Sequence, residues 1–222
     1  MSEGKAPAPR TAKTAGNGAK PATRIQTQNR EKILEAALEV FSSYGYRGST
    51  IEQIASAAAM SKSNLLYYFR SKKLIYTAVL EHILDEWLAP LRTLEVDGDP
   101  AEEISAYIAR KLELSASNPK ASRLFAGEIL QGAPMIGGFL KGPLKDLMDA
   151  KAKVINAWAE QGRIRPVDPH HLIFMIWATT QHYADFDIQI RALTGTGVDD
   201  PAFESTAKET VTRMILEGLL PR

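Results

Sequence analysis

Residues 50–75, TIEQIASAAAMSKSNLLYYFRSKKLI, restrict the possible fold more than any other stretch of this chain. Ile51, Ile54, Ala55 and Ala58 recur at helical spacing, so a short helix with one apolar face is expected there. Thr50 stands where an N-cap belongs, and Gln53, three residues on, completes the pattern of a capping box. Ala59 and Met60 fall at a turn. Ser61 can cap a second short helix over residues 62–69, and Ser71 can cap a third, longer one. Two short helices around a tight turn need a further helix to pack on. Residues 29–44 supply it, with Ile33, Leu34, Ala37, Leu38 and Phe41 as the buried stripe and Gly45 as the stop. Phe41 and Tyr44 are expected to fix the angle of the two-helix unit.

The second short helix has an unusual exposed face. Lys62 carries charge, Ser63 and Asn64 can bond base edges or phosphates, and Tyr67 and Tyr68 present hydroxyls, while Leu65, Leu66 and Phe69 anchor the helix from behind. Donors at the N-terminal end and hydrophobes behind suit insertion into a major groove, and the positive end of the helix dipole favours phosphate. The same segments could also be an ordinary helical pair in an all-α core. The order T-x-x-x-I-A, then S-K-S-N-L-L-Y-Y-F, then S-K-x-x-I resembles the DNA-binding domain of TetR-family transcription regulators. That resemblance implies that Arg47, Ser49 and Thr50 lie near the phosphate backbone and that Lys72 meets a phosphate. The family's turn usually carries Gly where this chain has Ala59. A side chain there costs about 1 kcal/mol if the position needs positive φ.

Charge is divided along the chain. The formal net charge is +1, yet residues 1–75 carry 12 Lys+Arg against 5 Asp+Glu, and residues 76–222 carry 15 against 21. A basic head on an acidic body fits a protein that touches DNA with one end only. Residues 1–27 are rich in Ala, Pro, Lys, Thr and Gly and are expected to be a disordered basic arm, with Lys5, Arg10, Lys13, Lys20 and Arg24, and with Arg30 just beyond. Such an arm could follow phosphates or only solubilise. The chain contains no cysteine, no run of membrane-span length and no hydrophobic segment after the basic start, so a cytoplasmic protein is expected. No His/Asp/Glu spacing converges on a metal, and no cofactor is expected.

Beyond residue 74 the pattern stays helical. Ile75, Val79, Leu80, Ile83, Leu84, Trp87, Leu88 and Leu91 carry a helix from the head into the body, where Pro90 bends or ends it. Asp99-Pro100, Asn118-Pro119, Asp168-Pro169 and Asp200-Pro201 are helix starts. Gly132-Ala133-Pro134, Gly137-Gly138 and Gly142-Pro143 are breaks. No segment alternates at period two. The expected fold is all-α: an arm over 1–27, a three-helix helix-turn-helix domain over 28–74, and a helical ligand-binding and dimerisation domain over 75–222.

Residues 169–190 are apolar on most sides and are expected to be buried all round. Phe174, Trp177, Gln181 and Asp185 follow one another at i, i+3/i+4 spacing, a Trp plane beside an amide and a carboxylate. A small flat polar heterocycle would stack on Trp177 and pair its edge with Gln181, with Trp87 as the opposite wall. The same residues could be core aromatics with a satisfied amide. The strings EWLAPL, NPKASRLFAGEIL and DPHHLIFMIWATTQHYADF resemble TetR-family regulators of pyrimidine utilisation. That implies a homodimeric repressor on double-stranded operator DNA, relieved by uracil or thymine. A regulator answering to another metabolite is the alternative; a protein that coats DNA without sequence preference would not explain the acidic body. An all-α enzyme would have only His182 with Asp185 to work with, without a nucleophile or metal.

Overall fold

The computed structural model describes residues 24–221, and among these every regular element is helical. Helix α1 (Arg24–Gly48) starts earlier than the sequence suggests. Residues 24–27, assigned to the arm, are its first turn, because neither Pro nor Gly stands between Pro21 and Gly45 to stop it. The rest of the expected arm lies outside the described residues. Gly45 adopts φ 68° and ψ 170°, so the helix breaks there and resumes for one turn over Tyr46, Arg47 and Gly48. Helices α2 (Ile51–Ala57) and α3 (Lys62–Tyr68) follow, capped by Thr50 and Ser61. The Thr50 capping box is complete, with the Thr50 amide donating to Gln53 Oε1 at 2.8 Å and the Gln53 amide to Thr50 Oγ1 at 3.2 Å.

Ala59 holds φ 50° between them. Its amide donates to Ser56 O at 3.0 Å and the Met60 amide to Ala55 O at 2.9 Å, which closes the C-terminus of α2 around a left-handed residue. The Cβ of Ala59 is strained in this geometry. Ala59→Gly is expected to raise stability by roughly 0.5–1 kcal/mol, read from urea unfolding.

Helix α4 (Lys72–Arg92) runs from head to body and contains Pro90, ending two residues after it. Ile75 and Tyr76 close the core of the head, where the Tyr76 ring meets Phe41 edge-on at 4.9 Å. Helices α5 (Pro100–Ser117) and α6 (Pro119–Leu130) begin alike: Asp99 and Asn118 accept from amides of the first turn, and Pro occupies the first helical position, whose amide would have no partner. Gly132-Ala133-Pro134 follows the end of α6 as expected, but Gly137-Gly138 and Gly142-Pro143 do not break the chain. A short turn, α7 (Gly137–Phe139), leads through a π-helical turn (Leu140–Leu144) directly into α8 (Lys145–Glu160). Pro143 has no amide to give, and a widened turn tolerates that loss better than a regular α-turn does.

Helix α9 (Pro169–Asp185) is also shorter than its apolar sequence suggests. Phe186, at φ −114° and ψ 27°, separates it from α10 (Asp187–Thr194); α11 (Pro201–Leu219) completes the chain. Nor is α9 buried all round. Leu172, Ile173, Ile176, Thr180 and Ala184 are inside, while Phe174 and Met175 are exposed on the single chain. In the body, α5 packs between α9 and α11, and α6 bridges α9 and α1. That bridge puts one helix in contact with both halves of the molecule.

Candidate DNA-reading head and effector pocket

The expected DNA-facing residues divide into two groups. Arg47, Thr50, Lys62, Ser63, Asn64 and Tyr67 are exposed. Lys62 Nζ reaches Glu52 Oε1 at 2.6 Å and holds that carboxyl below its usual range. Among the described residues, no hydrogen bond restrains the Asn64 side-chain amide. Tyr67 is 71% exposed, its ring edge-on to Tyr68 at 5.3 Å.

Ser49, Tyr68 and Lys72 instead turn inward. Ser49 is buried and its hydroxyl donates to Gly45 O at 2.6 Å, satisfying a carbonyl at the kink of α1. The Tyr68 hydroxyl accepts from Asn29 Nδ2 at 2.9 Å, tying α3 to the start of α1. Arg30 strengthens the same tie, its guanidinium 4.5 Å from the centre of the Phe69 ring. Lys72 Nζ donates to Tyr46 O and Ser49 O at 2.7 Å each and lies 4.7 Å over the Tyr46 ring. Tyr68 thus ties α3 to α1, while Ser49 and Lys72 fasten the segment before α2 to the kink of α1 and the start of α4. A sequence pattern cannot tell a hydroxyl aimed at a phosphate from one that repairs a kinked backbone.

In the body, a cavity of about 660 Å³ opens between α6, α9 and the π-helical turn. Trp177, Gln181 and Asp185 lie together on its wall, facing Phe125, Leu140 and Leu144. The other two expected residues are elsewhere. Trp87 is buried behind Phe125, ring centres 6.5 Å apart, and does not reach the wall. Phe174 lies beside Trp177, ring centres 5.8 Å apart and tilted by 57°, but lines the adjoining hollow near Met148 and His170. Both depart from expectation because helical spacing fixes which residues share a face, not which neighbouring helix covers it.

The wall is tightly held. Trp177 Nε1 donates to the Tyr107 hydroxyl at 2.5 Å. The Ser122 hydroxyl donates to Asp185 Oδ1. Burial raises the Asp185 carboxyl, against the opposing pull of Ser122, Lys111 and Arg123.

Lys111 escaped the sequence reading. It is 3% exposed, with Nζ 4.0 Å over the Trp87 ring. Its signal was available: it falls in helical register with Ile104, Ile108 and Ser115, on the buried stripe of α5. Burial lowers its pKa to about 7, and Asp185 on α9 is the one charge that offsets this. The consequence for stability follows from linkage. Between about pH 7 and the ordinary lysine value of 10.5, the unfolded chain binds a proton that the folded chain has shed. Rising pH therefore favours the fold across that window, by up to about 1.4 kcal/mol per unit. Lys111→Met is expected to flatten this rise, measured by denaturant unfolding at pH 7, 8 and 9.

Two family models cover nearly all of the described chain. Residues 33–79 match the description "Bacterial regulatory proteins, tetR family", and residues 80–222 match "YcdC-like protein, C-terminal region". The chain belongs to the TetR family of bacterial regulatory proteins. It is 50% identical over 200 residues to the HTH-type transcriptional regulator RutR of Escherichia coli (strain K12), an alignment covering 90% of this chain and 94% of that protein. It is 30% identical over 133 residues to the HTH-type transcriptional repressor NicS of Pseudomonas putida, covering 55% of this chain and 63% of that one. Among solved structures, KstR2 of Mycobacterium tuberculosis, described as a ketosteroid transcriptional regulator, superposes with a TM-score of 0.67 at 20% identity, over 87% of this chain and 95% of its own. AibR, solved with isovaleryl coenzyme A and operator DNA, superposes with a TM-score of 0.63 at 19% identity, over 84% and 97%. These two likenesses are of fold.

As a TetR-family member, the protein is a DNA-binding, ligand-responsive transcriptional regulator and not an enzyme. Among the described residues, no helix is long and apolar enough to cross a membrane, and no cluster of His, Asp and Glu could hold a metal ion.

Proposed function

We propose that this protein is a homodimeric repressor of pyrimidine metabolism whose operator binding is relieved by uracil or thymine. The observation that carries the reading is the meeting of Trp177, Gln181 and Asp185 on one cavity wall, in a chain half identical to RutR along nearly its full length. An indole face suits a flat ring, and an amide offers a donor and an acceptor to a lactam edge. In this reading Arg47, Thr50 and Lys62 position the head on phosphates, Ser63, Asn64 and Tyr67 read bases, and Ser49, Tyr68 and Lys72 brace the head from within.

Helix α6 supplies a route from pocket to head. Its Ser122 bonds Asp185 of the pocket, and its Lys120 reaches Glu39 of α1 at 2.6 Å. Glu128, buried on the same helix, accepts from the Met135 amide at 2.6 Å and stands beside Tyr76 of α4, whose phenol is pushed up by burial and then by this carboxylate. A ligand that shifts α6 would move contacts to both α1 and α4. The test is a gel-shift titration of an operator fragment with uracil and thymine; operator occupancy that neither base changes would exclude the pyrimidine reading.

The head can be tested separately. Lys62→Ala is expected to weaken operator and random DNA alike and to reduce the salt slope by about one. Asn64→Ala is expected to weaken only particular sequences, by about 1–3 kcal/mol. Equal effects of both variants on random DNA would contradict this division.

A further inference from the structure

Two polar side chains lie in the core of the body without a hydrogen-bond partner. Ser115 on α5 is fully buried and its Oγ is unbonded. Lys111, one turn earlier on the same face, is 3% exposed, and among the described residues no hydrogen bond ties its ammonium. The Trp87 ring centre lies 4.0 Å from its Nζ. Their neighbours on that stripe, Ile104, Ile108 and Leu112, are apolar. A buried donor with no acceptor is costly, and a buried charge more so, so a fold does not place both together without a use for them.

Their location suggests that use. Trp87 is backed by Phe125, and Phe125 lines the open cavity. Asp185, on the cavity wall, is the charge that acts on Lys111. Through Trp87 and Phe125, and through the Asp185 charge, the open cavity is connected to Lys111.

We infer that the effector reaches inward from the Trp177 and Gln181 wall, between α5 and α9, with its C4 carbonyl oxygen on the Lys111 ammonium and a second polar atom on Ser115 Oγ. Lys111 is then the residue that selects heterocycles carrying a carbonyl oxygen at that position. This rests on the proposed effector site and specifies what it recognises. An ammonium offers donors only, so a carbonyl oxygen satisfies it and a ring amino group opposes it with another donor. With the ammonium at the C4 substituent, the site accepts uracil and thymine, which carry a carbonyl there, and rejects cytosine, which carries an amino group. The Trp87 face holds the ammonium in place until the carbonyl arrives.

The test uses the full-length protein and the variants Lys111→Met and Ser115→Ala, with thermal shift for stability and calorimetry for binding. Lys111→Met keeps the length of the side chain and removes the charge. It is expected to melt at the same temperature as the wild type or higher, because an unpaired buried charge is gone. Its affinity for uracil is expected to fall at least tenfold and its discrimination between uracil and cytosine to collapse; Ser115→Ala is expected to weaken uracil about threefold or more. Uracil affinity in Lys111→Met within twofold of the wild type would overturn the inference, as would a lower melting temperature with binding intact. A wild type that ignores uracil and thymine but is stabilised by the purine xanthine, with that effect lost in Lys111→Met, would sink the pyrimidine reading and leave this one standing. A wild type unmoved by the whole panel would overturn both.

Discussion

A Met175→Glu, Met214→Glu double variant is expected to be a folded monomer that binds its operator 10²–10⁴-fold more weakly than the wild type. Met175 is 52% exposed on α9 and Met214 63% exposed on α11. Exposed Phe186 at the end of α9, with Ile188 and Leu193 on α10, adds to the apolar surface of the same closing segments. Large apolar side chains left open at this density are a surface awaiting a partner. A two-fold pair built on these helices would set two α3 helices about 34–36 Å apart, the distance between successive major grooves. The second half-site then binds at the high effective concentration set by the dimer, and a monomer forfeits that gain. Because both methionines are exposed in the single chain, the carboxylates disturb association and leave the fold intact. Sedimentation and gel shift on the same samples decide it: a dimer that persists, or a monomer that keeps operator affinity, would refute the assembly.

Gln181→Leu is expected to reduce uracil affinity 5–150-fold and to raise the concentration needed for operator release by the same factor. Leu is close to Gln in size, so the cavity wall beside Trp177 keeps its shape. A ring edge that the Gln181 amide had satisfied is left facing a methyl group, and an unmet buried hydrogen bond costs about 1–3 kcal/mol. In the wild type, saturating uracil is expected to weaken operator binding 5–150-fold, equivalent to a coupling of about 1–3 kcal/mol. Release in Gln181→Leu at the wild-type uracil concentration would remove Gln181 from the ligand contacts. Operator binding without ligand serves as the internal control, since Gln181 is far along the chain from the head.

Much of this molecule is local, and local features are legible. The caps at Thr50, Ser61, Asp99, Asn118, Asp168 and Asp200 each depend on a side-chain oxygen two or three residues from the amides it meets. The Ala59 departure was legible for the same reason, and φ 50° is the strain it implied. Expectation and structure parted where a residue's surroundings depended on a distant partner. Ser49 looked like a phosphate contact and is the partner of a kinked carbonyl. Trp87 looked like a pocket wall and is a core ring under Lys111. Gly137, Gly138 and Gly142 looked like breaks, yet neighbouring turns carry the helix through them.

The sequence by itself determined the helical class, the helix starts, the basic head and the recognition helix, because capping, periodicity and charge act within a few residues. Tertiary structure alone decided three things. It turned Ser49, Tyr68 and Lys72 inward onto partners in the head instead of leaving them open at the surface. It gathered Trp177, Gln181 and Asp185 on one wall while leaving Trp87 and Phe174 off it. It also left Lys111 and Ser115 without partners in the core. Each depends on which side chain from a remote helix completes a hydrogen bond or covers a face, and helical spacing carries no information about that.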